Sequence, residues 1–320
     1  MTPSNLLPGL TSLCMAACAL AMSGCQRNTT DTSPMDAQMS ASAAAFTANQ
    51  QQWRDQREAA LLQPEGWTSL IGLHWIDPGP HHLGSAADNG VRLTMGPEHL
   101  GMLDVSKDGL RFVPDRRAVS TLDGAPLGAP ARLRGDDDAA GPTKLGFDDG
   151  KGVATVIKRG ARYALRVRHA DAPTRTGFSG IDYWAADPQW QIRGRFVAHP
   201  PGRTIDIANI IGTTDAMPNP GAVEFERDGA TYRIEALDEG ADTLFLVFAD
   251  RTNGQGSYGA GRFLDIERPD AQAAVTLDFN RAYNPPCAFS AFATCPLPPA
   301  ENRLDLAITA GEKAYAHRAP

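Results

Sequence analysis

Residues 224–236 read EFERDGATYRIEA, two stretches in which apolar and polar side chains alternate across Asp228-Gly229. Alternation puts successive side chains on opposite faces of a strand, and Asp-Gly supplies the two positive-φ positions of a two-residue hairpin turn. The segment therefore predicts an antiparallel hairpin. The pattern continues outward: WTSLIGLHWI, GVRLTMG, GLRFVP, ATVIKRG and RYALRVRH come before it, TLFLVFAD, GRFLDIE, AAVTLDFN and RLDLAIT after it. Turn signals such as DPG, ADNG, KDG and DDG bound these runs. Many strands at short spacing without intervening helices predict a mainly β chain, sandwich- or barrel-like. The pattern lapses between residues 169 and 190, which gives a first β-rich part over 65–170, a connector over 171–189 and a second β-rich part over 190–320.

Ahead of the strands, AAAFTANQQQWRDQREAALL is rich in helix formers, with Phe46, Trp53, Ala60 and Leu61 as apolar anchors. It predicts an N-terminal helix over 45–64, ended by Pro64 and Gly66. Earlier still, LLPGLTSLCMAACALAMSGC has the form of an export signal over residues 1–24, with small residues before a cysteine. Ser23-Gly24-Cys25 fits a lipoprotein cleavage site, although Met22 stands where leucine is usual and the start carries no Lys or Arg. Cys25 would carry the lipid, Gln26 would follow it, and 25–44 would be a flexible tether. The expectation is an exported, membrane-anchored lipoprotein facing the periplasm, at the outer membrane in a two-membrane cell.

The formal net charge of -7, with no clustered Lys and Arg, argues against a nucleic-acid partner. His74, His81, His82, His99, His169 and His199 show no metal-ligand spacing, so no metal site is expected. There is no GxSxG elbow. The glycine-rich NGQGSYGAGRF precedes a strand rather than a helix, so no phosphate loop and no cofactor are expected.

What remains is the polar set toward the C-terminus. Asp250, Thr252, Tyr258 and Arg262 precede or begin one strand; Asp278, Asn280, Tyr283, Asn284, Glu301 and Asn302 surround YNPPCAFSAFATCPLPPAENRL at 283–304. Two readings stand side by side. The set could form a preorganised ligand pocket beside a proline-stiffened loop, or it could bond to its own backbone and hold loops in place. Once the signal and Cys25 are set apart, Cys287 and Cys295 are the remaining thiols, and an oxidising compartment makes them a candidate disulfide. Prolines on both sides deprive the segment of ladder donors, so it reads as a rigid edge loop.

GRFLDIE, the loop with its NPPCAF, ATCPLPP and ENRL pieces, and the upstream WRDQREAALLQPEGWTSLIGLHWIDPGPHHLGS together resemble the bacterial and archaeal family of unknown function DUF1684, roughly from Trp53 to Glu312. The resemblance implies relatives and assigns no reaction or catalytic residue. GPHHLGSAADNGVRLTMGPEHLG and STLDGAPLGAPARL resemble the element order of forkhead-associated β-sandwiches. Leu83 and Ser85 flank Gly84 where that fold's phosphopeptide-binding arginine would be sought, so the likeness concerns fold. The leading expectation is an envelope protein binding a small molecule or a glycan or peptide fragment. The rivals are a hydrolase using a carboxylate or Cys287, and a structural lipoprotein without a ligand.

Overall fold

The computed structural model describes residues 34–107 and 109–316. The proposed signal, Cys25 and the start of the tether lie outside them. The chain divides into two compact units, Met1–Ala43 and Ala44–Pro320, and the β-rich parts lie in the second. The helix expected over 45–64 spans Pro34–Leu61 and so takes in residues 34–44 of the expected tether; Met35, Ala37, Gln38, Met39 and the alanines at 41 and 43–45 favour a helix, and Pro34 suits its first turn. Its end is built as the sequence suggests. Thr68 Oγ1 donates to the Leu61 carbonyl at 2.5 Å, and a Cβ on Gly66 would stand 2.4 Å from that same oxygen.

The fold is mainly β. In the first β-rich part a six-stranded sheet runs Leu70–Ile76, Arg162–His169, Gly152–Arg159, Lys144–Phe147, Ser120–Leu122 and Ala125–Pro126. A five-stranded sheet runs Val91–Arg92, Gly79–Gly84, Gly101–Ser106, Gly109–Pro114 and Ala131–Leu133. Leu83, Leu103 and Phe112 of the second share one core with Leu145, Val156 and Val167 of the first, which makes this part a sandwich. Each such fully buried side chain stabilises the fold by about 1.5–3 kcal/mol.

In the second part Ala230–Ala236, Gly221–Arg227, Gln191–Ala198 and Ala274–Asp278 form a four-stranded sheet. Arg227 pairs with Ala230, and Asp228 and Gly229 have φ of 52° and 77°, as the Asp-Gly signal predicts. Gly229→Ala is expected to cost about 1–2 kcal/mol, the penalty of a Cβ in the left-handed region, read as a lower urea midpoint with an unchanged slope.

Two further strand pairs complete this part, Thr204–Ala208 with Thr214–Pro218, and Thr243–Phe248 with Arg262–Glu267. The second pair is covered on both faces. Leu244, Leu246, Phe248, Leu264 and Ile266 enter the main core with Phe225, Leu277 and Phe279. Phe245, Val247 and Phe263 enter a smaller cluster with Ile207, Ala293 and Cys295. Burial on both sides explains why TLFLVF is continuously apolar rather than alternating.

Candidate functional site

The smaller cluster does not close. Where it meets the sandwich it leaves a cavity of about 490 Å³. Phe245, Phe263 and Asp265 come from the doubly covered strand pair, and Ile207, Asn209, Asp215 and Met217 from the hairpin over 204–218. Tyr283, Pro286 and Ala293 to Pro296 come from the proline-rich loop. Arg57 reaches in from the helix, Trp67 from the turn after it, and Arg159 and Arg166 from the sandwich strands; Glu239 completes the wall.

Asp265 lies directly across the ladder from Phe245, so the alternation that turns Phe263 toward the cavity turns Asp265 there too. Tyr283 Oη donates to Asp265 Oδ2 at 2.9 Å. Asp265 and Glu239 remain reachable by water through the open mouth. The concave apolar wall still strips part of their hydration, which raises both carboxyls above their usual range, Glu239 further through the charge of Asp265. The Arg57 guanidinium carbon stands 4.7 Å from the Tyr283 ring centroid. It is fixed there by Glu312 Oε1 at 2.8 Å and the Asn284 carbonyl at 2.9 Å.

Arg166 is different in kind. It is 8% exposed, and its Nη2 donates to Thr294 Oγ1 at 3.2 Å. Its Nε has no partner, and no carboxylate of the described residues pairs with it. Its guanidinium carbon lies 5.5 Å from the Trp67 ring centroid, as does that of Arg168. Burial first, then the charges of Arg168 and Arg159, bring Arg166 down to about 10, which leaves it a cation at neutral pH.

Of the residues singled out from sequence, Tyr283 and Cys295 line this cavity. The others lie elsewhere, and the structure does not gather Asp250, Arg262, Asp278 and Asn284 around a common opening. Asp250 and Arg262 form a wholly buried pair at 2.7 Å, in which Arg262 also donates to the carbonyls of Ile308 and Ala310. Asp250 in turn accepts from Thr252 through backbone and hydroxyl. Asn302 joins Glu235 and Val247. Asn280 exchanges bonds with the Asp187 backbone, and Asp278 accepts from Gln50 and Gln191. Asn284 is tied to Glu312 and Lys313. Tyr258 Oη donates to the Cys287 carbonyl at 3.2 Å, and Glu301 is exposed. Apart from Glu301, these side chains bond to neighbouring backbone and side-chain groups and do not line the cavity.

The candidate disulfide is not formed in this structure. Cys287 and Cys295 are free thiols, and the Cys287 amide donates to Cys295 Sγ at 3.0 Å. Hydrogen bonds from Cys295 and Tyr258 make Cys287 the more acidic sulfur, while its bond to Cys287 and burial push the Cys295 thiol up.

Sequence reasoning missed Arg57, Arg159, Arg166, Asp265 and Glu239. Asp265 had a usable signal, since an acid within a strand paired to TLFLVF faces a covered side.

Residues 176–313 match the sequence model of the family described as "Protein of unknown function (DUF1684)", a shorter reach than Trp53 to Glu312. The match takes in the hairpin, the strand pair, the loop and Glu312, and leaves Arg57, Trp67, Arg159 and Arg166 outside it. The chain is similar to an uncharacterized protein of Haloarcula marismortui with a solution NMR structure, at 32% identity over 43% of this chain and 78% of that one, with a TM-score of 0.37. No curated protein matches. Through the segment that holds the proline-rich loop and the strand pair behind it, the chain belongs to the DUF1684 family.

Proposed function

We propose that the protein binds a small, partly apolar ligand in the cavity between the sandwich and the proline-rich loop, and does so at the cell envelope. The observation that carries the first half is the composition of the cavity. A preformed concavity of about 490 Å³, walled by Trp67, Ile207, Phe245 and Phe263 and set with a few convergent polar groups, has the size and chemistry of a small-molecule site. The proline-rich loop gives one wall a fixed shape, which lowers the ordering cost of binding.

Fragment titration followed by backbone amide shifts tests this. Binding fragments should perturb Phe263, Tyr283 and Thr294. Met217→Trp, which places a larger ring on the hairpin wall, should weaken them at least tenfold without changing the circular dichroism. Fragments that perturb only distant residues, or bind Met217→Trp equally well, would overturn the reading. The envelope half rests on Ser23-Gly24-Cys25. Metabolic labelling with a fatty-acid analogue should mark the protein and fail on Cys25→Ala; an unlabelled wild type would remove that half.

A second reading, a hydrolase, is favoured by Asp265 and Glu239, two carboxyls raised by partial desolvation in one cleft, one of them held by a tyrosine. A general acid among them would lose its proton as pH rises through its raised value, so activity would fall on the alkaline side and vanish in Asp265→Asn. The Cys287 version has less support, because Cys295 rather than Cys287 lines the cavity.

A further inference from the structure

We infer that the ligand is an anion, a carboxylate or phosphate carried on an apolar body, whose acid group seats against the side-on edge of Arg166. This rests on the cavity being a binding site and names what it binds. Other cations of the fold show the contrast. Arg262 is answered by Asp250, Arg57 by Glu312 and Arg159 by Asp136. A buried cation without a directly bonded counter-ion is costly, and Arg166, at 8% exposed, has no ion-pair partner among the described residues; the charge of Asp136 acts on it only from a distance, since Asp136 pairs with Arg159. Of the carboxylates that share its cavity, Asp265 is engaged by Tyr283 and Asp215 lies near Asn209 at 3.5 Å, while Glu239 opens to water; none of the three pairs with Arg166.

The free donors also have the right geometry. Nε has no partner, and Nη2 spends one hydrogen on Thr294 Oγ1. Nε and Nη2 point the same way from the guanidinium, and together they form the fork that takes two oxygens of one acid group. The Trp67 ring centroid lies 5.5 Å from the guanidinium carbon, a cation–π contact that restrains where the guanidinium sits, and Nε is out of reach of water in the unliganded protein. The apolar body would then lie along Phe245 and Phe263. An acid bound this way supplies the missing charge, so the protein alone is left with an unanswered cation that the ligand completes.

Arg166 lies outside the matched segment 176–313, so the sandwich, rather than the family's shared part, contributes the charge that selects the acid. A relative built without this sandwich would keep the apolar wall and lose the preference.

Matched pairs test the inference by calorimetry and amide shifts: 2-naphthoate against 2-naphthamide, hexanoate against hexanamide, and phenyl phosphate against phenol. In the wild type the acids should bind about tenfold to a hundredfold tighter than their neutral partners, the worth of a charge-assisted bond. Arg166→Met should erase that difference and raise the Tm of the unliganded protein, since it removes an unpaired buried charge. Arg166→Lys should restore part of the acid preference. The pair with the largest ratio distinguishes carboxylate from phosphate. Equal binding of acid and neutral partner by the wild type would overturn the anion inference while leaving the cavity reading intact. Failure of every compound to bind or to shift Phe263 and Tyr283 would bring down the cavity reading, and this inference with it. If Arg166→Met does not fold, the wild-type ratios alone decide.

Discussion

Replacing Arg262 with methionine is expected to cost the folded state about 3–5 kcal/mol, because it strands a buried carboxylate rather than because it removes a contact. Asp250 and Arg262 are both wholly shielded from water. Taking away the guanidinium leaves Asp250 bound by the Thr252 backbone and hydroxyl and by the Ile308 amide at 3.3 Å, without a counter-charge. It also leaves the carbonyls of Ile308 and Ala310 without the donors that Arg262 supplied. A loss of that size is a large share of the 5–15 kcal/mol that keeps an ordinary domain folded. Urea unfolding monitored by tryptophan fluorescence should show a strongly lowered midpoint or no native baseline. A change below about 1 kcal/mol would show that the pair is not buried as described. The double substitution Arg262→Met with Asp250→Leu should recover only the part due to the stranded charge, since the Ile308 and Ala310 carbonyls and the Thr252 and Ile308 amides then lack their partners.

The second large effect is expected at Asn302. Its side chain accepts from the Glu235 amide at 2.7 Å and donates to the carbonyls of Glu235 and Val247 at 3.0 and 2.9 Å. Glu235 belongs to the edge strand of the four-stranded sheet, and Val247 to the separate pair Thr243–Phe248 with Arg262–Glu267. Asn302 thus acts as a short piece of strand, carrying amide bonds across a gap that backbone pairing does not fill. Asn302→Ala would orphan three buried backbone groups at about 1–3 kcal/mol each, a total of roughly 3 kcal/mol or more. Asn302→Asp should be no better, because the carboxylate would face two carbonyls where the amide offered two hydrogens. Thermal unfolding and urea midpoints measure both; a shift of under 1 kcal/mol would mean that water takes over the bonds.

These two residues show what the sequence could and could not disclose. The hairpin at 224–236 was legible because Asp-Gly between alternating strands is a local signal, and its register followed. The proline-rich loop was legible as an edge segment, since its missing amide donors exclude a central strand. The roles of Asp250, Arg262 and Asn302 were not, because Asp, Arg and Asn at strand ends serve a pocket and a loop brace equally well. Arg162, Arg166 and Arg168 alternate with apolar residues in RYALRVRH, a pattern that reads as an exposed strand face. Arg166 is buried by Trp67 and by Thr294, the latter 128 positions away, and no window of sequence contains that fact.

The strand pair Thr243–Phe248 with Arg262–Glu267 has one face in the main core and the other at the cavity. Its amides can open to solvent only when the second β part as a whole gives way, so their exchange with heavy water should be as slow as global unfolding. The hairpin over 204–218 pairs within no larger sheet, is held to the loop near Ala208 and Ile210, and leaves Ile210 44% exposed. Its opening is the low-energy fluctuation available to the cavity wall. A bound molecule would therefore leave on the hairpin's clock while the floor beneath it stays still. Sequence changes in that hairpin should alter how long a ligand stays, with less effect on which ligand fits.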